Sequence, residues 1–178
     1  MPGGRSERGC RSARFAGTSG TPLAECRGVE FGYRLTGTGW SEARLEDGPS
    51  SVTITASYLG DALGELLAAV EVLLEGAEQA SCSWAEQPGE YRWIFDRAGS
   101  DVRLRVLALP DDDPRETDDR GQVVFESTAP VREIAGAIAN GAQKVLDEYG
   151  EDEYLRLWAQ HPFPLRHLEL IQAHLEGE

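Results

Sequence analysis

Cys82 is the only cysteine beyond residue 27 of this 178-residue chain. A cysteine acts as a nucleophile when its thiolate is accessible and a base or cation sits beside it. Alternation with Ser81 and Ser83 turns Cys82, with Trp84, toward a core, where a thiol is inert. No G-x-S-x-G elbow offers a serine alternative. His161, His167 and His174 all fall after residue 160. His167 and His174 stand seven apart, about 10 Å along a helix, which is too far to share a metal ion. They are expected as half-exposed neighbours of an apolar stripe. Gly60-Asp61 lies between a strand and a helix, but the Asp would repel a phosphate and cap the helix itself. The sequence therefore predicts no catalytic residue, no metal and no cofactor, and it leans away from an enzyme.

Acidic side chains are the more distinctive feature. Asp111, Asp112, Asp113, Glu116, Asp118 and Asp119 crowd one loop, expected to be mobile over 110–120. Glu71, Glu75 and Glu78 gather where one helix should end. Asp147, Glu148, Glu151, Asp152 and Glu153 gather at the junction of two others. Negative charge at an exposed helix C-terminus opposes the macrodipole by about 0.3–1 kcal/mol per group. That local cost points to a cationic partner, against the simpler reading of a solvated face. Trp40 is predicted on the polar face of a sheet, an aromatic anchor of the kind enriched in interface hot spots. Trp40 and residues 147–153 are thus the candidate partner-binding residues.

A second candidate is a pocket between sheet and helices, lined by Tyr33, Tyr91, Trp93, Tyr154, Trp158 and His161. Aromatics on an apolar face more often build the core than a ligand wall, because each buries so much area. Arg34, Arg92, Arg103 and Arg105 fall on the polar strand faces beside Glu30 and Asp96, and cross-strand ion pairs account for them without a ligand.

These residues need elements to hold them. Val29, Phe31, Tyr33 and Leu35 alternate with polar neighbours, as do Ala43 and Leu45, then Val52, Ile54 and Ala56. Three half-buried strands in a meander follow from that period of two. Leu59, Leu63, Leu66, Leu67, Val70, Leu73 and Leu74 switch to helical spacing over about 60–75, capped by Asp61 or Gly60 and ended at Gly76. Four further strands are predicted around Cys82, Trp93, Leu104 and Phe125. Val131 to Leu146 form an apolar stripe ending near Gly150, a shorter helix carries Tyr154 and Trp158, and Leu165 to Leu175 form the last. Clean alternation and short turns predict an α+β fold: a two-layer sandwich with one antiparallel sheet of six or seven strands and helices on one face.

Composition sets the limits. The net charge of −14 divides into +3 over residues 1–27, with five Arg against two Glu, and −17 beyond them. The Gly-, Ser- and Arg-rich first 28 residues lack apolar periodicity and are expected to be disordered, a translated leader before a single domain over 29–178. Glycines and prolines break the amphipathic helix that a targeting presequence requires. Acidity argues against nucleic acid and against an anionic membrane surface. Three cysteines form no closed disulfide framework, which places the chain in the cytoplasm. In size, charge and class the chain resembles immunity proteins that neutralise cationic nuclease toxins, and small secretion chaperones. No motif carries that resemblance. It implies a non-catalytic, acidic protein-binding module that inhibits a basic partner; the alternative is a small-molecule-binding or catalytic domain.

Overall fold

The computed structural model describes residues 28–110 and 117–177. The Arg-rich tail and most of the acidic loop therefore lie outside the described residues. Seven strands and three helices follow in the order β1 (Glu30–Gly37), β2 (Trp40–Asp47), β3 (Ser50–Ser57), α1 (Ala62–Leu74), β4 (Gln79–Ala85), β5 (Glu90–Ala98), β6 (Asp101–Leu109), β7 (Gln122–Pro130), α2 (Val131–Trp158) and α3 (Leu165–Glu176). A short 3-10 turn, Asp118–Arg120, precedes β7.

The fold is α+β, but the strands do not share one sheet. They divide into β1-β2-β3 and β4-β5-β6-β7, both antiparallel. Short turns join β1 to β2, β2 to β3, β4 to β5 and β5 to β6, which sets those strands side by side, whereas β6 and β7 pair across the longer connection of residues 110–121. Between β3 and β4 the chain instead runs through α1, and nothing in that helical connection obliges β4 to pair with β3. The inner faces of the two sheets meet through aromatic rings. Phe31 packs edge-on against Trp93 at 6.2 Å and Tyr33 against Trp84 at 5.8 Å, with Trp84 and Trp93 4.8 Å apart. The three helices touch one another. α1 packs along β4, α2 packs along β1, and α3 bridges the two helices.

Local chemistry explains the boundaries. Asp61 caps α1, its carboxylate accepting from the Gly64 N–H at 3.2 Å. Gly76, at φ 104°, reverses the chain just past the helix end. Gly150, at φ 66° and ψ 174°, breaks the helical path inside α2, so residues 131–149 and 151–158 act as two segments. The outward faces of the sheets carry the expected ion pairs: Arg34–Glu42, Arg92–Glu90, Arg103–Glu126 and Arg105–Asp96, at 2.6–2.9 Å.

α2 also covers the free edge of β1. Its Glu133 carboxylate accepts from the Val29 N–H at 3.2 Å, and the Tyr149 hydroxyl meets the Leu35 backbone N–H. Between them Gly141 lets the helix backbone close on Phe31, where an added Cβ would stand 2.5 Å from the ring and 2.9 Å from the carbonyl oxygen. Sheet edges left open invite pairing with other chains, and a covering helix is one way to blunt them.

Candidate functional site

The tip of the β1–β2 hairpin is fastened to the end of α2. The Gly39 N–H donates to the Leu157 carbonyl at 2.7 Å, and the Gly39 carbonyl accepts from Tyr58 N–H at 2.9 Å. With Tyr149 against Leu35 and Leu157 against Gly39, the segment 149–157 runs beside the hairpin tip. Trp40, one residue past Gly39, therefore sits at the same end of the molecule as residues 147–153. Its ring is 39% exposed, whereas Trp84, Trp93 and Trp158 are wholly buried. Leu155, on that segment of α2, and Leu59, next to the Tyr58 that bonds Gly39, are also exposed large apolar side chains. Leu59, expected from its spacing to open the apolar stripe of α1, instead lies in the turn before Ala62, where the helix has not yet begun and the side chain is left in solvent.

The five acids there are not equivalent. Asp147 accepts from the Gln143 amide at 2.8 Å, and Glu148 acts electrostatically on the neighbouring Tyr149 hydroxyl. Glu153 is held by the Arg156 guanidinium at 2.7 Å, which lowers its carboxyl below the usual range. Glu151 and Asp152 are exposed and have no ion-pair partner among the described residues. The break at Gly150 revises the dipole argument made from sequence. Residues 151–153 open a helical segment, where negative charge is favourable, and only Asp147 and Glu148 close one. At the other acidic helix end the opposition is answered from a distance. Arg97 of β5 donates to the carbonyls of Leu73 and Ala77, and Glu71 meets His167 Nδ1 at 2.5 Å. Neither partner was legible in the local sequence around α1.

The alternative pocket residues are brought together only in part. Tyr33, Trp93, Tyr154 and Trp158 join one buried core, and Tyr154 packs edge-on against Phe163 at 5.3 Å. Tyr91 stands apart, half-buried with its hydroxyl near Glu86. His161 is half-buried and lies within electrostatic reach of Asp61 and Glu65. Inside the core the Tyr33 hydroxyl faces Ser41 and Tyr154, and burial pushes both tyrosines far up. None of the three oxygens settles into hydrogen-bond geometry, and the indole N–H groups of Trp84, Trp93 and Trp158 are equally unanswered. These orphaned atoms lie among packed rings.

Nucleophile and metal chemistry find little here. Cys82 is buried, and desolvation, reinforced by Glu65, holds its thiol well above the ordinary value. His174 bonds the Leu170 carbonyl at 2.9 Å within its own helix. Among the described residues, no group of three His, Cys, Asp or Glu side chains is gathered to hold a metal ion. No helix of the described residues is long and apolar enough to cross a membrane. Comparison with family models, with curated proteins and with solved structures returns no match.

Proposed function

We propose that the chain is a non-catalytic, acidic protein-binding module that docks a basic partner, in the manner of an immunity protein or a chaperone-like inhibitor. One observation supports this most: Trp40, the one exposed tryptophan, shares an end of the molecule with the unpartnered Glu151 and Asp152. An aromatic anchor flanked by free carboxylates offers both halves of an interface, buried area and long-range attraction. The charge of −17 beyond residue 27 extends that attraction and repels nucleic acid and anionic membrane. The same reading keeps the module in the cytoplasm.

The test is calorimetric titration of the full-length protein with a decaarginine peptide at low and high salt. Binding that weakens with salt, and weakens further in Glu151→Gln/Asp152→Asn and Trp40→Ala, supports the reading. Binding indifferent to those substitutions would place the partner elsewhere and remove it.

The small-molecule reading retains one specific observation, the orphaned hydroxyls of Tyr33, Ser41 and Tyr154 beside Asp61. A ligand there would have to part rings already in contact, which is why the reading ranks second. Tyr33→Phe removes a buried, unanswered hydroxyl. It is expected to leave stability unchanged or raised in a closed core, and to abolish binding if the nest holds a ligand.

A further inference from the structure

We propose that the free edge of β4, with the adjoining face of α1, is a docking groove for an extended basic segment of another protein, which adds as a strand beside Gln79 and Ser81. The pairing pattern fixes which groups point outward. The Arg97 N–H donates to the Glu78 carbonyl at 2.8 Å, and the Glu86 N–H to the Gly89 carbonyl at 2.7 Å. Backbone groups of alternate residues point the same way, so the even positions from 78 to 86 face β5 and the odd ones face away. Accordingly, Ser83 N–H points away from β5, on the side from which the Glu65 carboxylate of α1 acts on it. Gln79 and Ser81 are exposed, and no bond among the described residues answers their backbone N–H and C=O.

Beside this edge α1 supplies a second wall. Ala68, Ala69 and Val72 face Ala80 and Ser81 across a shallow groove of about 340 Å³. Val72 is 40% exposed, a large apolar side chain left at the rim. An edge strand flanked by a helix suits strand addition, in which main-chain bonds give affinity and alternate side chains enter the groove. Small walls admit small or branched apolar side chains. The sign of the occupant follows from the rim: Glu65 closes one end, Glu75 and Glu78 stand exposed at the other, where Arg97 is already engaged by the Leu73 and Ala77 carbonyls, and no cation among the described residues lines the groove. β7, which also pairs on one side only, has an irregular register with β6.

The experiment uses isotope-labelled full-length protein and a synthetic peptide of alternating valine and arginine. Its control is the same peptide with alternate backbone nitrogens methylated, which cannot complete a ladder. The expected result is movement of the Gln79 and Ser81 amide resonances, with slower exchange at both, for the first peptide alone. Ser81→Pro removes an outward N–H that β5 does not use, and Val72→Arg sets a like charge on the rim; each is expected to abolish the shift of the Gln79 amide, which both variants retain. Equal shifts with the methylated peptide, shifts confined to Trp40 and residues 147–153, or undiminished binding by both variants would overturn the proposal. The proposed function is read by loss of decaarginine binding in Trp40→Ala and Glu151→Gln/Asp152→Asn, and this proposal by the Gln79 and Ser81 amides, so failure at one surface is distinguishable from failure at the other.

Discussion

The free edges of β1 and β4 each lie beside a helix, yet α2 reaches the backbone of the first while α1 leaves most of the second unanswered. Along β1, α2 places Glu133, Gly141 and Tyr149 at eight-residue steps against Val29, Phe31 and Leu35. Those sixteen residues of helix rise about 24 Å, close to the roughly 20 Å of strand between Val29 and Leu35. Along β4, α1 offers a single carboxylate, Glu65 to Ser83, and leaves Gln79 and Ser81 facing out. The difference lies in side-chain choice. Glycine brings a helix backbone onto the strand, and a long polar residue on either side answers the outward N–H groups. On α1 the corresponding positions are alanine and valine, which leave a shallow gap and no hydrogen bond. An edge is thus closed by three well-placed residues, and absence of those three leaves a usable surface.

This contrast can be broken in several places. The largest effect is expected at Trp158, wholly buried beside the residue whose carbonyl holds Gly39. Trp158→Ala should destabilise by about 3–5 kcal/mol in urea unfolding; a loss under about 1 kcal/mol would show that the end of α2 is peripheral to the closure. Next comes a pair with opposite signs. Gly141→Ala forces a Cβ into Phe31 and should cost about 1–3 kcal/mol, although alanine is the better helix former. Gly136→Ala, on the same helix but in open space, should gain about 0.5–1 kcal/mol. The same sign for both would mean that α2 does not press on β1. Tyr149→Phe is smaller, removing one acceptor from the Leu35 N–H for about 0.5–1.5 kcal/mol, and it should speed exchange of that amide.

The smallest effect is a pH slope near the open edge. Burial holds Asp61 and Glu65 above their ordinary values of 3.8 and 4.5, so the folded chain retains protons there that the unfolded chain releases. Between the ordinary and raised values, stability therefore increases as pH falls. Asp61→Asn keeps the helix cap and Glu65→Gln keeps an acceptor, and together they should flatten that slope without a large change in stability at neutral pH. An unchanged slope would show that neither group is desolvated.

Most elements were legible because their periods are clean. The alternation from Val29 to Leu35, the helical spacing from Leu63 to Leu74 and the break at Gly150 all match the structure. The division into two sheets was not legible, since period-two alternation marks a buried face and carries no record of which strand lies beside which. Arg97 capping α1, and Glu133 and Tyr149 reaching β1, were hidden for the same reason: each pairs with residues 20 to 114 positions away in sequence. Trp40 emerged on the exposed face that its spacing predicted, and residues 147–153 emerged exposed or half-exposed. The energetic argument for the acidic turn did not carry over, because whether an acid opens or closes a helix depends on a backbone angle at Gly150.

Trp40 also supplies its own reporter, since the three other tryptophans are wholly buried. The most direct test of the central claim is the association rate of decaarginine with the full-length protein, followed by Trp40 fluorescence across a range of ionic strength. The account predicts a rate that falls steeply as salt rises, with the buried tryptophans silent. A rate indifferent to salt, or no change in Trp40 emission on binding, would contradict it.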